Sequence, residues 1–262
     1  LIMPAASTEI VGTKILTLFP TNTSSDTPVI QGVIVLFDRN TGSPLATIDA
    51  ASVTAIRTAA ASAAATEALA QQNAKSLAII GSGVQAKSHI EAMMQVRAIE
   101  TVRIYSRNSN SASQLAKETR ALFGIECDIE TSPQNAAAGA EIICTVTSSR
   151  DPVIYAEWLA PGCHLNLVGA HSPDMREVDT ATIQRASVFL EDTEMALKEA
   201  GDIAIPIAEG ELKLDQIKGD IAEVYLGNKI GRSSRSEITL YKSLGNAIQD
   251  ITAAHALYKS VT

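Results

Sequence analysis

The stretch KSLAIIGSGVQA, residues 75–86, decides how the rest of the chain is read. Residues 76–80 are almost wholly apolar, long enough for a strand buried on both faces and too short for a helix. They run into Gly81-Ser82-Gly83-Val84-Gln85-Ala86, a G-x-G-x-x-A pattern, and residues 88–96 then carry helical patterning. In a dinucleotide-binding fold each small residue has a task. Gly81 makes the tight turn, Gly83 admits the backbone to a pyrophosphate, and Ala86 lets helix and strand pack closely. The new helix then turns free N–H groups and the positive end of its dipole toward the phosphates. A glycine pattern by itself is weak evidence; a readable strand before it and a readable helix after it make it specific.

The identity of the dinucleotide is read at the end of the next strand, about 20 residues further on. That strand covers residues 101–105 and ends in Ser106-Arg107-Asn108. An NAD reader usually places a carboxylate there for the ribose 2′-hydroxyl, whereas Glu100 lies at the strand's start. Arg107 among small polar residues suits a 2′-phosphate, since guanidinium pairs with phosphate as a fork. The other reading of Arg107 is a solvated loop residue. NADP(H) is therefore favoured, with NAD(H) possible.

Composition narrows the class. The 262 residues suffice for one large domain or two modest ones, and with 46% hydrophobic and 19% charged residues the chain is of ordinary globular type. A net charge of −8, from 21 basic and 29 acidic residues, argues against nucleic acid or an anionic membrane as partner. Cys127, Cys144 and Cys163 have no C-x-x-C spacing and fit buried thiols in a reducing compartment, here the cytoplasm. No apolar run approaches the ~18 residues of a membrane span, and no signal peptide is read.

Taken in order, residues 1–50 read as β, with strands at 13–19, 33–37 and 45–48, a polar loop at 21–28 and a strong turn at Asp38-Arg39-Asn40-Thr41-Gly42. Ser52 is read as the cap of a long Ala-rich helix over residues 53–71. From residue 76 strands alternate with helices, the pattern of a parallel doubly wound α/β sheet. Strands are expected at 76–80, 101–105, 125–129, 141–146, 164–168 and 187–191. Helices are expected at 88–96, 109–123, 133–138, 180–186 and 194–199. Residues 202–229 are ambiguous, and residues 238–258 show helical periodicity interrupted by Gly245. The expected organisation is a dinucleotide-binding domain over 59–237 and a smaller α+β domain from 1–58 and 238–262.

Three residues are candidates for chemistry. Arg57 is the only charge in a long run of small residues, and a charge there is costly without a partner; it reads either as an anion clamp or as a helix-surface arginine reaching solvent. Lys14 interrupts a strand, where lysine usually marks the solvent face. His171 follows the strand end Gly169-Ala170, where a parallel sheet presents groups to its ligand, and reads as a proton donor or a plain loop histidine. His89, His164 and His255 read as structural. There is no metal-ligand spacing, G-x-S-x-G elbow, Walker lysine or Tyr-x-x-x-Lys pair. The chemistry then falls to a nicotinamide oriented by the protein.

These blocks together resemble the ornithine cyclodeaminase/mu-crystallin family, over essentially the whole chain. The resemblance rests on Gly12-Thr13-Lys14, TAIRTAA at 54–60, GSGVQA at 81–86, Thr145-Val146-Thr147, WLAPG at 158–162, Val168-Gly169-Ala170, ALKEAGD at 196–202 and KSLG at 242–245. It looks closest to the mu-crystallin branch of ketimine reductases. It implies a Rossmann domain beside a substrate-binding and dimerisation domain, a homodimer, and Lys14 and Arg57 gripping a substrate carboxylate. It also implies a cofactor lined by Arg57, Thr58, Gly81, Gly83, Val84, Gln85, Ser106, Arg107, Asn108, Thr145, Val168, Ser243 and Gly245. The implied activity is NAD(P)H-dependent reduction of a cyclic imino acid, Δ1-piperideine-2-carboxylate or Δ1-pyrroline-2-carboxylate, to pipecolate or proline. Ornithine cyclodeaminase, alanine dehydrogenase and a non-catalytic NADPH-dependent binder are the alternatives. Two departures matter. His171 stands where the cyclodeaminases carry a catalytic aspartate, which speaks against ornithine cyclisation. The family also usually has some tens of residues before the point matching Leu1, including an arginine that helps bind the carboxylate.

Overall fold

The computed structural model describes residues 1–19, 22 and 28–262, so most of the loop read at 21–28 lies outside the described residues. The chain forms two compact units, Leu1–Thr58 with Gly245–Thr262, and Ala59–Leu244.

The smaller unit begins with β1 (Ile2–Ala6), β2 (Ile10–Leu18), β3 (Ile30–Asp38) and β4 (Pro44–Asp49), an antiparallel sheet in sequence order. β2 alternates as a half-buried strand should, but with an unusual assignment of faces. Ile10, Gly12, Lys14 and Leu16 point inward, while Val11, Ile15 and Leu18 are exposed. Lys14 thus sits on the core face, against the expectation that a strand lysine marks the solvent side. α1 (Ala50–Leu69) follows. Its start is held by Asp49, whose carboxylate accepts the Ser52 N–H at 2.7 Å, so Asp49 and not Ser52 caps this helix.

The larger unit comprises β5 (Ser76–Ile80), α2 (Val84–Val96), β6 (Thr101–Tyr105), α3 (Ser109–Phe123), β7 (Glu126–Ile129), α4 (Pro133–Ala137), β8 (Ile142–Thr145) and β9 (His164–Leu167). It continues through α5 (Thr180–Arg185), β10 (Ser187–Leu190), α6 (Thr193–Glu199), α7 (Gly201–Ala208), β11 (Ile217–Asp220), α8 (Ile221–Tyr225) and β12 (Thr239–Lys242). All eight strands are parallel, in the order β11-β10-β12-β9-β8-β5-β6-β7. The central strands β8, β9 and β12 are buried throughout, as a sheet covered on both faces requires. Along β5, Leu77 and Ile79 join one apolar cluster with Ile90 and Leu115, and Ala78 and Ile80 join another with Ile143 and Leu165.

Several boundaries differ from the sequence reading. α2 starts at Val84, directly after Gly83, rather than at residue 88. Residues 238–244 belong to the larger unit, because β12 pairs with both β9 and β10. Its sequence, Thr-Leu-Tyr-Lys, is compatible with helical spacing, but the sheet buries both of its faces and tertiary pairing overrides the local pattern. The ambiguous residues 202–229 hold α7, β11 and α8.

The chain ends in α9 (Ala247–Val261), capped by Asn246, which packs on β1, β2 and β3. Ile251 and Ala254 complete the smaller unit's core with Ile10, Ile34, Leu36 and Val53. The three cysteines are buried and free. Among the described residues no helix is long and apolar enough to cross a membrane.

Candidate active site

The larger unit has its topological switch at β5: the chain moves out through β6 and β7, then returns to β8 on β5's other side. Ligands of open α/β sheets bind at such a point, beyond the C-terminal strand ends. Gly81 leaves β5 at φ +128°, a left-handed conformation that disfavours any side chain, and a Cβ there would lie 2.9 Å from Val146 Cγ2 and from Val146 O. Gly83 caps α2 without a side-chain hydrogen bond, and a Cβ built on it would meet nothing within 4 Å. The first turn of α2 therefore offers uncapped N–H groups to open space, the cradle a pyrophosphate needs. Ser82 Oγ donates to Ser106 Oγ at 2.8 Å, tying the glycine loop to the end of β6. These features fit a dinucleotide.

The cleft has a volume of about 500 Å³, and Gly81, Gly83, Ser106, Arg107, Thr147 and His171 are among its lining residues. Arg107 is exposed at its rim beside the β6 end. Val84, the first residue of α2, is also exposed. The Gln85 carbonyl faces His89 Nδ1 at 2.8 Å, inside α2. Other candidates build walls instead of lining the space. Asn108 caps α3 by accepting the Ser111 N–H at 3.1 Å. Thr145 is buried with its hydroxyl on Glu177 at 2.7 Å. The Val168 N–H donates to Thr145 O at 3.0 Å, and Ser243 Oγ donates to Glu191 at 3.1 Å. Burial, reinforced by the nearby Lys242 charge, holds the His171 imidazole below its usual value, so it is neutral at physiological pH.

The smaller unit gathers the other candidates around a carboxylate that the sequence did not reveal. Asp250, on α9, lies 2.6 Å from Lys14 Nζ and 2.9 Å from Arg57 Nε. Arg57 Nη1 also donates to Gln249 Oε1 at 3.2 Å, and Lys14 Nζ to Thr54 Oγ1 at 3.5 Å. Thr58 spends its hydroxyl on Thr54 O at 2.7 Å, bracing α1. All three charges are buried, Asp250 completely. Two cations and one anion leave one positive charge in excess. Gly245, at φ +87°, lies where a Cβ would overlap the Arg57 guanidinium, so glycine alone lets the side chain pass. A buried ion cluster is poor evidence for stability, because apolar residues of similar volume often do as well. A surplus buried charge instead points to an anionic ligand. Burial pushes Lys14 down, while its pairing with Asp250 works to keep it charged.

Together these features define a class: a protein with a dinucleotide-type cleft in one unit and a buried cluster of two cations and one carboxylate in the other. Comparison with known proteins carries the assignment further. The ornithine cyclodeaminase/mu-crystallin family matches residues 1–262. A Delta(1)-pyrroline-2-carboxylate reductase of Bacillus cereus is 40% identical over 262 residues, covering 99% of this chain and 80% of that protein. The solved Thermococcus litoralis Delta(1)-pyrroline-2-carboxylate reductase, in complex with NADH and L-proline, matches with a TM-score of 0.92 at 37% identity, covering 95% of this chain and 77% of that one. An archaeal alanine dehydrogenase dimer with bound NAD matches with a TM-score of 0.93 at 32% identity, covering 98% and 79%. The chain belongs to the ornithine cyclodeaminase/mu-crystallin family.

Sequence reasoning missed Asp250 and a second carboxylate, Glu177, which is fully buried against the strand ends that flank the cleft. Each is an acidic residue beside apolar neighbours, Asp250-Ile251 and Glu177-Val178, and that contrast was the only local signal.

Proposed function

We propose that this protein is an NAD(P)H-dependent reductase of cyclic ketimines, converting Δ1-pyrroline-2-carboxylate or Δ1-piperideine-2-carboxylate to proline or pipecolate. The observation that carries the reading is the Lys14–Asp250–Arg57 cluster, whose single surplus positive charge matches a monocarboxylate. The family's named imino acid reductases support the same substrate class. Lys14 and Arg57 hold the carboxylate and so remove most of the substrate's orientational freedom. The bound dinucleotide supplies the hydride. A ring iminium arrives already protonated, which leaves little acid–base work; His171 lines the cleft, where an imidazole can relay the proton that keeps the ring nitrogen protonated. Gly81, Gly83 and the start of α2 hold the pyrophosphate. Arg107 favours NADP(H), with NAD(H) accepted.

The dimer belongs to the same reading. Ile2, Ile15 and Val33 stand opposite one another across β1, β2 and β3 and are all exposed, forming an apolar row on the sheet's outer face. Such a row suits the same face of a second copy. Residues 1–58 and 245–262 are accordingly assigned to substrate binding and dimerisation, and the cytoplasm is the assigned compartment.

The test is cofactor oxidation, followed by absorbance, with both imino acids and with NADPH and NADH in parallel. Turnover of either imine supports the reading. Binding of NADPH without turnover sinks it in favour of a binding protein, and NAD-linked turnover of alanine points to a dehydrogenase. Gly245→Ala is expected to raise KM for the imino acid about tenfold or more, because the methyl group displaces the Arg57 guanidinium from Asp250. An unchanged KM in a folded variant would show that Arg57 needs no such passage.

A further inference from the structure

Glu177 is the most heavily satisfied side chain near the cleft, and its partners fix the polarity of one cleft-lining group. Oε1 accepts the Thr147 N–H at 2.7 Å and the Thr147 hydroxyl at 2.8 Å. Oε2 accepts the Gly169 N–H at 2.6 Å and the Thr145 hydroxyl at 2.7 Å. Glu177 is held from behind as well: its own N–H donates to Asp202 Oδ1 at 2.7 Å, and Asp202 Oδ2 lies 3.4 Å from Lys242 Nζ. Lys242 Nζ in turn donates to Leu167 O, the end of β9, at 3.3 Å. One buried network thus joins the ends of β8, β9 and β12.

The consequence is a matter of counting protons. In its ionised form, which four donors and the nearby Lys242 charge favour against burial, each carboxylate oxygen of Glu177 has two lone pairs, and here each faces one backbone N–H and one threonine hydroxyl. An N–H can only donate, and with every lone pair engaged both hydroxyls must donate too. A hydroxyl has one proton and two lone pairs. Thr147 spends its proton on Glu177 and one lone pair on the Ser149 N–H at 3.2 Å. What remains is a single lone pair, on a residue that lines the cleft beyond β8. In a doubly wound sheet the adenosine half lies beyond β6, where Ser106 and Arg107 stand, and the nicotinamide half lies on the β8 and β9 side. The one group of fixed donor polarity on that half is the carboxamide N–H₂, since a ribose hydroxyl can rotate to suit either polarity.

We propose that Thr147 Oγ, held as an acceptor-only group by the positioning residue Glu177, takes the carboxamide N–H of the nicotinamide and so selects that ring's binding pose. The assignment rests on the reading of the cleft as a nicotinamide dinucleotide site and extends it to a recognition contact.

The experiment is calorimetric binding of NADP⁺ and of its 3-acetylpyridine analogue, in which a methyl group replaces the N–H₂. NAD⁺ and the corresponding analogue are used if NAD⁺ binds more tightly. Wild type is expected to prefer the carboxamide form by about tenfold, the worth of one hydrogen bond. Thr147→Val brings the ratio near one, chiefly by weakening the carboxamide form, and Thr147→Ser restores it. Glu177→Ala shrinks the ratio, because the Thr147 hydroxyl loses its acceptor and is free to donate toward the acetyl carbonyl. A Thr147→Val variant that melts like wild type and keeps the wild-type ratio overturns the assignment. Should that variant fail to fold, a wild-type ratio in Thr147→Ala, which removes the same hydroxyl, overturns it equally. Wild type binding neither dinucleotide would instead sink the cofactor reading, and the assignment with it.

Discussion

Arg57→Ala is expected to lower kcat/KM for a cyclic imino monocarboxylate by about a thousandfold while leaving the protein folded. Hydrogen bonds to a charged group are worth roughly 1.5–3 kcal/mol each, so losing a two-pronged guanidinium contact removes about 4 kcal/mol. The charge balance of the cluster makes the loss severe. With Arg57 gone, Lys14 and Asp250 form a neutral pair at 2.6 Å, and no surplus positive charge remains for the substrate. The same pair explains why the fold survives, since Asp250 keeps a partner. Asp250→Asn is the opposite case: it leaves two like charges buried together and costs about 3–5 kcal/mol of stability. Steady-state kinetics and thermal melts on the two variants separate these effects. Arg57→Ala with near wild-type kcat/KM would show that the carboxylate is held elsewhere.

Why this cluster escaped the sequence reading is physical. The Arg57–Asp250 bond joins residues 193 apart in the chain, and nothing local marks the partnership. Glu177 likewise reaches Thr145, Thr147 and Gly169 across loops whose path only the fold sets. By contrast, the glycine loop, the strand before it and the alternation through β9 were legible because each depends on short-range patterns: apolar runs of strand length, a cap, a turn. β12 fell between the two regimes. Its four residues are too few to separate period 2 from period 3.6, and its pairing partners β9 and β10 lie far away in sequence. Lys14 was half legible. The inward series Ile10, Gly12, Lys14, Leu16 is visible in the alternation, but which face met the core depended on α9.

The second large effect is loss of stability in acid, between pH 6.5 and 4. His89 is fully buried inside the larger unit, with Nδ1 facing Gln85 O at 2.8 Å and Nε2 facing Ser62 Oγ at 3.0 Å. His164 is buried between Thr239 Oγ1, at 2.9 Å from Nδ1, and Asn166 Oδ1, at 3.3 Å from Nε2. Burial pushes His89 down to about 4, and burial together with the Arg232 charge pushes His164 down to about 3. Both values lie below the ~6.5 of an unfolded histidine, so between these limits the unfolded chain binds protons that the folded chain refuses. Stability is therefore complete above pH 6.5 and falls as pH drops, by up to about 2.7 kcal/mol per pH unit for two protons. Glu177 acts in the other direction, since burial raises it and the folded state takes up its proton more readily; it offsets at most one of the two. The net loss by pH 4 is on the order of 3–6 kcal/mol, a large part of the 5–15 kcal/mol that typically holds a domain together. Urea unfolding at pH 7, 5.5 and 4.5 measures it, and His89→Gln should remove about half of the histidine contribution. A stability that stays level from pH 7 to 4.5 would mean that these histidines accept protons in the folded state, and the buried neutral networks around them would have to be redrawn.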